Sequence, residues 1–179
     1  YTREYPVEQY YRDQRLNPIH EGTNGIQAID LLGRKAGMGG GAGLKLLAAE
    51  IRKTIVAARA VPAIAAHAEA LQAALVEMER TTVQLLKAAR EQAPSLALAN
   101  AAYYLDLVGL IAMGWMWLQQ GIAAAAAEEG SQEQRDFVAG KLMTCRYFFA
   151  YELPRSGHLN ALLRKLDDTT LKMNSAMFA

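Results

Sequence analysis

Residues 64–89 read "IAAHAEALQAALVEMERTTVQLLKAA". Within them Ile64, Ala68, Leu71, Leu75, Met78, Thr82, Leu85 and Ala89 recur in alternating steps of four and three. That spacing returns to one side of a helix with 3.6 residues per turn and makes a seam suited to an antiparallel neighbour. The segment before it repeats the signal: Leu44, Leu47, Ala48, Ile51, Ile55 and Ala58 form one amphipathic stripe, and Pro62 separates the two. Pro94 is expected to end the second helix. Ser95 would cap a third that runs to about Glu129, through an alanine run with the highest helix propensity available. Gly130 then reads as a stop, and Ser131 with Gln134 as the capping box of a fourth helix. That helix carries Val138, Leu142, Cys145 and Phe149 and ends at Pro154, ahead of a short helix over 158–166 and a loose tail. No segment alternates with period two, so the fold class is all-α: an up-down four-helix bundle over residues 44–179.

Bulk properties exclude several functions. The chain has 179 residues and a formal charge of +1, so it has no basic excess with which to neutralise nucleic-acid phosphates. A single cysteine, Cys145, rules out an internal disulfide or a multi-cysteine metal site and is compatible with a cytoplasmic location. The start, "YTREYPVEQYYRDQR", does not resemble a signal peptide, and opening on Tyr1 rather than Met suggests a piece of a longer protein. The apolar run "LVGLIAMGWMWL" at 107–118 is shorter than the roughly 20 residues a membrane span needs, so it reads as a buried core helix. Its Trp115 and Trp117 project about 200° apart on a helix, so they cannot share one narrow stripe.

Residues 36–43 contain "GMGGGAG", a connector with few side chains to pack. It divides the chain into residues 1–35 and 44–179. The first unit contains "YYRDQRLNPIHEGTNGIQAIDLLGRK" at 10–35. Pro6 suits the first turn of a short helix, and Asn17 before Pro18 favours extended backbone. Asn24 can cap a helix starting near Gly25. Glu21 then lies just outside a helix N-terminus, where the backbone N–H groups of Thr23, Asn24 and Gly25 are available to an anion or polar ligand. A carboxylate there also has a purely structural use, since it complements the helix dipole by roughly a few tenths of a kcal/mol.

These residues resemble the end of the catalytic helical domain of the FAD-dependent acyl-CoA dehydrogenases. The elements are Tyr11-Arg12-Asp13, Ile19, Glu21-Gly22-Thr23 and Ile26-Gln27, in that order. The resemblance implies that Glu21 is the base removing the α-proton of an acyl-CoA, that Gly22 lies against the thioester, and that Thr23, Asn24 and Gly25 contact FAD. Arg12 and Asp13 would fix the loop. The family commonly has Tyr where this chain has His20, which reads as a packing residue. The remainder of the flavin site would come from upstream sequence, so the fragment alone is expected to be inactive. An electron-transfer acceptor protein and a homo-oligomer are implied partners.

Residues 36–179, with "LLGRK" before the glycines, "YELPR" and "DDTTLKM", resemble the additional C-terminal helical domain of one branch of larger acyl-CoA dehydrogenases, the 3-methylmercaptopropionyl-CoA type among them. No catalytic or metal-binding set is expected within it. His67 has no second ligand one helical turn away, His158 near Asp167 and Asp168 reads as solvated, and Cys145 lies on an apolar stripe. A reading from another class remains beside this one: a non-enzymatic helical oligomerisation or interaction module.

Overall fold

The computed structural model describes residues 4–20, 23–127 and 130–178. Its helices are α1 Val7–Leu16, α2 Thr23–Asp30, α3 Ala42–Arg59, α4 Ala65–Glu91, α5 Pro94–Leu98, α6 Ala101–Ala125, α7 Gln132–Tyr147, α8 Arg155–Arg164 and α9 Thr169–Lys172. No strand occurs among the described residues.

The seam of α4 faces the core as its spacing requires. Ile64, Ala68, Leu71, Leu75, Met78 and Leu85 are buried, with Ala48, Ile51, Ile55 and Ala58 of α3 beside them. Burying each of the larger side chains stabilises the fold by about 1.5–3 kcal/mol relative to exposure. Cross-helix contacts give the directions. Arg52 pairs with Glu79 and Arg59 with Glu69, so α3 and α4 are antiparallel. Thr82 meets Tyr104, and a Cβ on Gly121 would touch Ile64, so α4 and α6 are antiparallel. Lys141 reaches Gln120 and Cys145 reaches Trp117, which makes α7 antiparallel to α6. The order is up, down, up, down.

Two further helices join these four. From α8, Leu159 and Leu163 enter the same core cluster, as do Ala28 and Leu32 from α2 and its continuation. Helix α2 and its continuation therefore share a packed interface with α6. The glycine stretch between them forms a tight turn in which Gly39, Gly40 and Gly41 have φ of 57°, 66° and 80°. This left-handed backbone favours glycine three times in succession.

Proline and asparagine divide the third predicted helix. Helix α4 ends at Glu91, and Pro94 opens α5 instead of ending α4. Proline is suited to a first helical turn because its missing N–H would have no partner there. Ser95 therefore lies inside α5 and is not a cap. A second break at Asn100, whose side chain donates to the Asp167 carbonyl at 3.0 Å, separates α5 from α6. Helix α6 stops at Ala125, and the expected end at Glu129 lies outside the described residues. The capping box of α7 forms as read: the Gln134 N–H donates to Ser131 Oγ, and the Ser131 N–H donates to Gln134 Oε1.

Helix α6 is the centre of the assembly, with Tyr104, Leu107, Ile111 and Leu118 almost fully buried. Its tryptophans serve different neighbours, as their angular separation requires. Trp115 Nε1 donates to Thr54 Oγ1 of α3 at 2.7 Å, whereas Lys141 of α7 lies over the Trp117 ring at 5.7 Å. Helix α7 passes into a π-helical turn, Phe148–Glu152, closed by Leu153 N–H donating to the Phe148 carbonyl at 2.9 Å. A π turn delays the helical rotation, so two consecutive rings, Phe148 and Phe149, both turn inward.

Candidate functional site

The residues that suggested chemistry cluster at the N-terminus of α2. Its described span is Thr23–Asp30, which takes in the Asn24 read from sequence as its cap. Thr23 has φ of 71°, a left-handed conformation unusual for a β-branched residue. Such conformations persist where the surroundings over-determine them, and they concentrate at functional turns. Thr23, Asn24 and Gly25 are exposed, and a Cβ placed on Gly25 would meet only Thr23 Oγ1, at 3.9 Å. A hydroxyl, an amide and the backbone of a first helical turn thus lie at the surface. Glu21 and Gly22, the expected base and thioester contact, lie outside the described residues.

The opposite end of this helix is anchored. Ala28 and Leu32 are buried against the bundle, and a π-helical turn, Leu31–Lys35, follows. Asp30 is held there by Arg34 at 2.5 Å and Lys35 at 2.9 Å, and hydrogen bonds from these two cations lower its pKa to about 2. A Cβ on Gly33 would approach Leu98 to 3.3 Å, so the turn also rests on α5.

Helix α1 behaves differently. It buries no residue, and Tyr5, Val7, Tyr10, Tyr11 and Leu16 are exposed on and beside it. Arg12 pairs with Glu8 within this helix, and His20 is exposed. Among the described residues, this helix and its flanks thus present aromatic and apolar side chains at the surface.

Elsewhere, the polar groups are structural. His67 stacks on Phe149 with ring centroids 4.8 Å apart and planes 8° from parallel, and burial together with Arg146 lowers its pKa. His158 is exposed, Asp167 accepts the Thr169 N–H, and Asp168 pairs with Lys172. Among the described residues no three His, Cys, Asp or Glu side chains are grouped to hold a metal ion. Cys145 is fully buried, which pushes its thiol up to about 11. A polar network joining α4 to α8 went unread in the sequence. Thr81 donates to Asn160 at 2.5 Å, and Arg164 donates to Thr81 Oγ1 at 2.8 Å and to the Glu77 carboxylate at 2.7 Å. The signal available for it was the pair Thr81-Thr82 inside an apolar seam.

With this geometry established, similarity to known proteins becomes informative. The chain is 26% identical to the broad-specificity linear acyl-CoA dehydrogenase FadE5 of Mycobacterium tuberculosis, over 99% of this chain and 30% of that protein. It is 36% identical to the 3-methylmercaptopropionyl-CoA dehydrogenase of Ruegeria pomeroyi, over 83% of this chain and 25% of that protein. The chain therefore spans between a quarter and a third of the length of these curated relatives. Residues 47–174, which hold α4 to α9 and most of α3, match the family described as "Acetyl-CoA dehydrogenase C-terminal like", and the chain belongs to that family.

Proposed function

We propose that this chain is the C-terminal part of an FAD-dependent acyl-CoA dehydrogenase, with residues 1–35 completing the catalytic domain and the bundle appended to it. The observation that supports this most is the likeness to FadE5 along 99% of the chain, which takes in residues 1–35 as well as the bundle. Helix α1, none of whose residues is buried, agrees with it, since an exposed amphipathic helix is suited to pack on another domain.

The residues at the α2 N-terminus fit a flavin nucleotide at its polar edge. Thr23 supplies a hydroxyl, Asn24 an amide, and Gly25 an open backbone position, all exposed on the side away from the bundle. In this reading Thr23, Asn24 and Gly25 hold FAD, with other contacts supplied by upstream sequence. Bound FAD supplies the acceptor for the hydride that leaves the β-carbon. Glu21 takes the α-proton, and Gly22 lies against the thioester of the acyl-CoA. A carboxylate can do this at neutral pH where desolvation raises its pKa toward the operating range. The anchoring of α2 through Ala28 and Leu32 would keep that turn in register with the substrate.

The same reading makes the isolated fragment inactive. It places the full protein in the cytoplasm, with an electron-transfer protein as acceptor and a second copy of itself as partner. The exposed Phe137, Met143, Tyr147 and Tyr151 of α7 and its continuation are available for such contacts. Helix α6 is long and apolar enough to cross a membrane, but we read it as a core helix because its most apolar face is covered by neighbouring helices.

The test uses the full-length protein, with flavin absorbance followed during anaerobic addition of straight-chain and sulfur-containing acyl-CoAs. Bleaching in the parent that is lost in Glu21→Gln supports the assignment. A flavin-free parent, or equal bleaching in the variant, would overturn it and favour the non-enzymatic module.

A further inference from the structure

Helices α3 and α4 and the glycine turn enclose a cavity of about 390 Å³, within the range usual for small-ligand sites. Its wall is mostly apolar, formed by Leu44, Met78 and Leu86 with Val83 at the rim; the Thr82 hydroxyl that also lines it is engaged by the Met78 carbonyl and Tyr104. Two cations face it from different helices: Lys45 on α3 and Arg90 on α4. Among the described residues neither has an ion-pair partner. The carboxylate that also lines the cavity, Glu79, is engaged by Arg52 at 2.5 Å, so it does not neutralise them.

The backbone adds to this polarity. Gly40 and Gly41 form part of the wall, and the left-handed Gly41 precedes the first turn of α3. No side chain caps that helix, and a Cβ on Gly40 would meet nothing within 4 Å, which leaves this wall open. Unpaired N–H groups at a helix start favour negative charge. A second cavity, beside Gly33 and Met38, shares Gly37, Leu86 and Arg90 with the first. The apolar surface thus continues past Arg90.

From this juxtaposition we propose that the cavity binds a small amphipathic anion, its carboxylate or phosphate head between Lys45 and Arg90 and its alkyl tail on Leu44, Met78 and Leu86. Charge complementarity selects the head, and the apolar surface of these three side chains, beside a Thr82 hydroxyl whose partners are already in place, selects the tail. The site lies between the bundle and the glycine turn and does not depend on the dehydrogenase reading.

The test is calorimetric titration of the intact protein with octanoate, octyl phosphate, octanol and inorganic phosphate. Saturable binding of octanoate or octyl phosphate, about tenfold or more tighter than octanol and inorganic phosphate, is the expected result. Combining Lys45→Gln with Arg90→Gln should weaken it by about tenfold or more. Val83→Glu, an exposed position where folding is not at stake, should weaken it similarly by repulsion. Melting curves establish that the variants are folded. Equal binding of octanol, equal binding of inorganic phosphate, unchanged binding in the folded double variant, or no saturable binding of either amphiphile would each overturn the proposal.

Discussion

Tyr104 donates its hydroxyl proton to Thr82. The two oxygens are 2.9 Å apart in the core, and the proton of Thr82 is directed to the Met78 carbonyl at 2.8 Å, which leaves Thr82 as acceptor. Tyr104 is fully buried, and that burial raises its pKa. Thr82 occupies a seam position read from sequence as one of the apolar set, so the seam contains a polar contact where α4 meets α6. Thr82→Val would leave the Tyr104 hydroxyl buried without a partner and should cost about 2 kcal/mol. Adding Tyr104→Phe should recover part of that loss, because the stranded donor is removed. Urea unfolding of both single variants and the double variant measures the coupling; strict additivity would contradict this geometry.

Glycines within α6 have opposite roles. A Cβ on Gly109 would meet nothing within 4 Å, so Gly109→Ala should stabilise by about 0.5–1 kcal/mol through helix propensity. A Cβ on Gly114 would lie 2.9 Å from Leu71 Cδ1 and 3.5 Å from Phe148 Cε1, both of them core side chains. Overpacking costs about 1–3 kcal/mol and outweighs the propensity gain. Gly114→Ala is therefore expected to lower the melting temperature while Gly109→Ala raises it.

His67 makes stability depend on pH. Burial and then Arg146 lower its folded pKa below the ordinary 6.5, so the unfolded chain binds the proton more readily. The associated stability is fully present above 6.5 and is lost as pH falls through the lower folded value. His67→Phe keeps a ring against Phe149 and removes the titration. Denaturant midpoints between pH 7 and 5 should fall less steeply in the variant than in the parent.

Cys145 should be inert in the native protein. With the thiol buried and its pKa pushed up to about 11, little thiolate exists near neutral pH. An aromatic disulfide reagent at pH 8 should label it only after denaturant is added. Stoichiometric labelling at native rates would show that α7 opens readily from α6.

Much of this was legible in the chain because helical periodicity is a local property. The stripes of α3 and α4, the Ser131–Gln134 box and the stop at Pro154 each depend on residues within a turn or two of one another. The turn at Thr23–Gly25 was visible for the same reason. Pro94 was misassigned because proline both terminates and opens helices, and the choice depends on whether the chain can turn beside it.

Sequence alone determined that this protein is all-α and where its principal stripes lie. Tertiary structure decided what each stripe meets. It put α6 at the centre, directed Trp115 and Trp117 to different neighbours, and brought Thr81, Asn160 and Arg164 together across residues distant in the chain. It also left Lys45 and Arg90 facing one cavity. The physical reason is that helix formation depends on neighbours three and four residues apart, whereas pairing between helices depends on shape and charge from segments far apart in the chain.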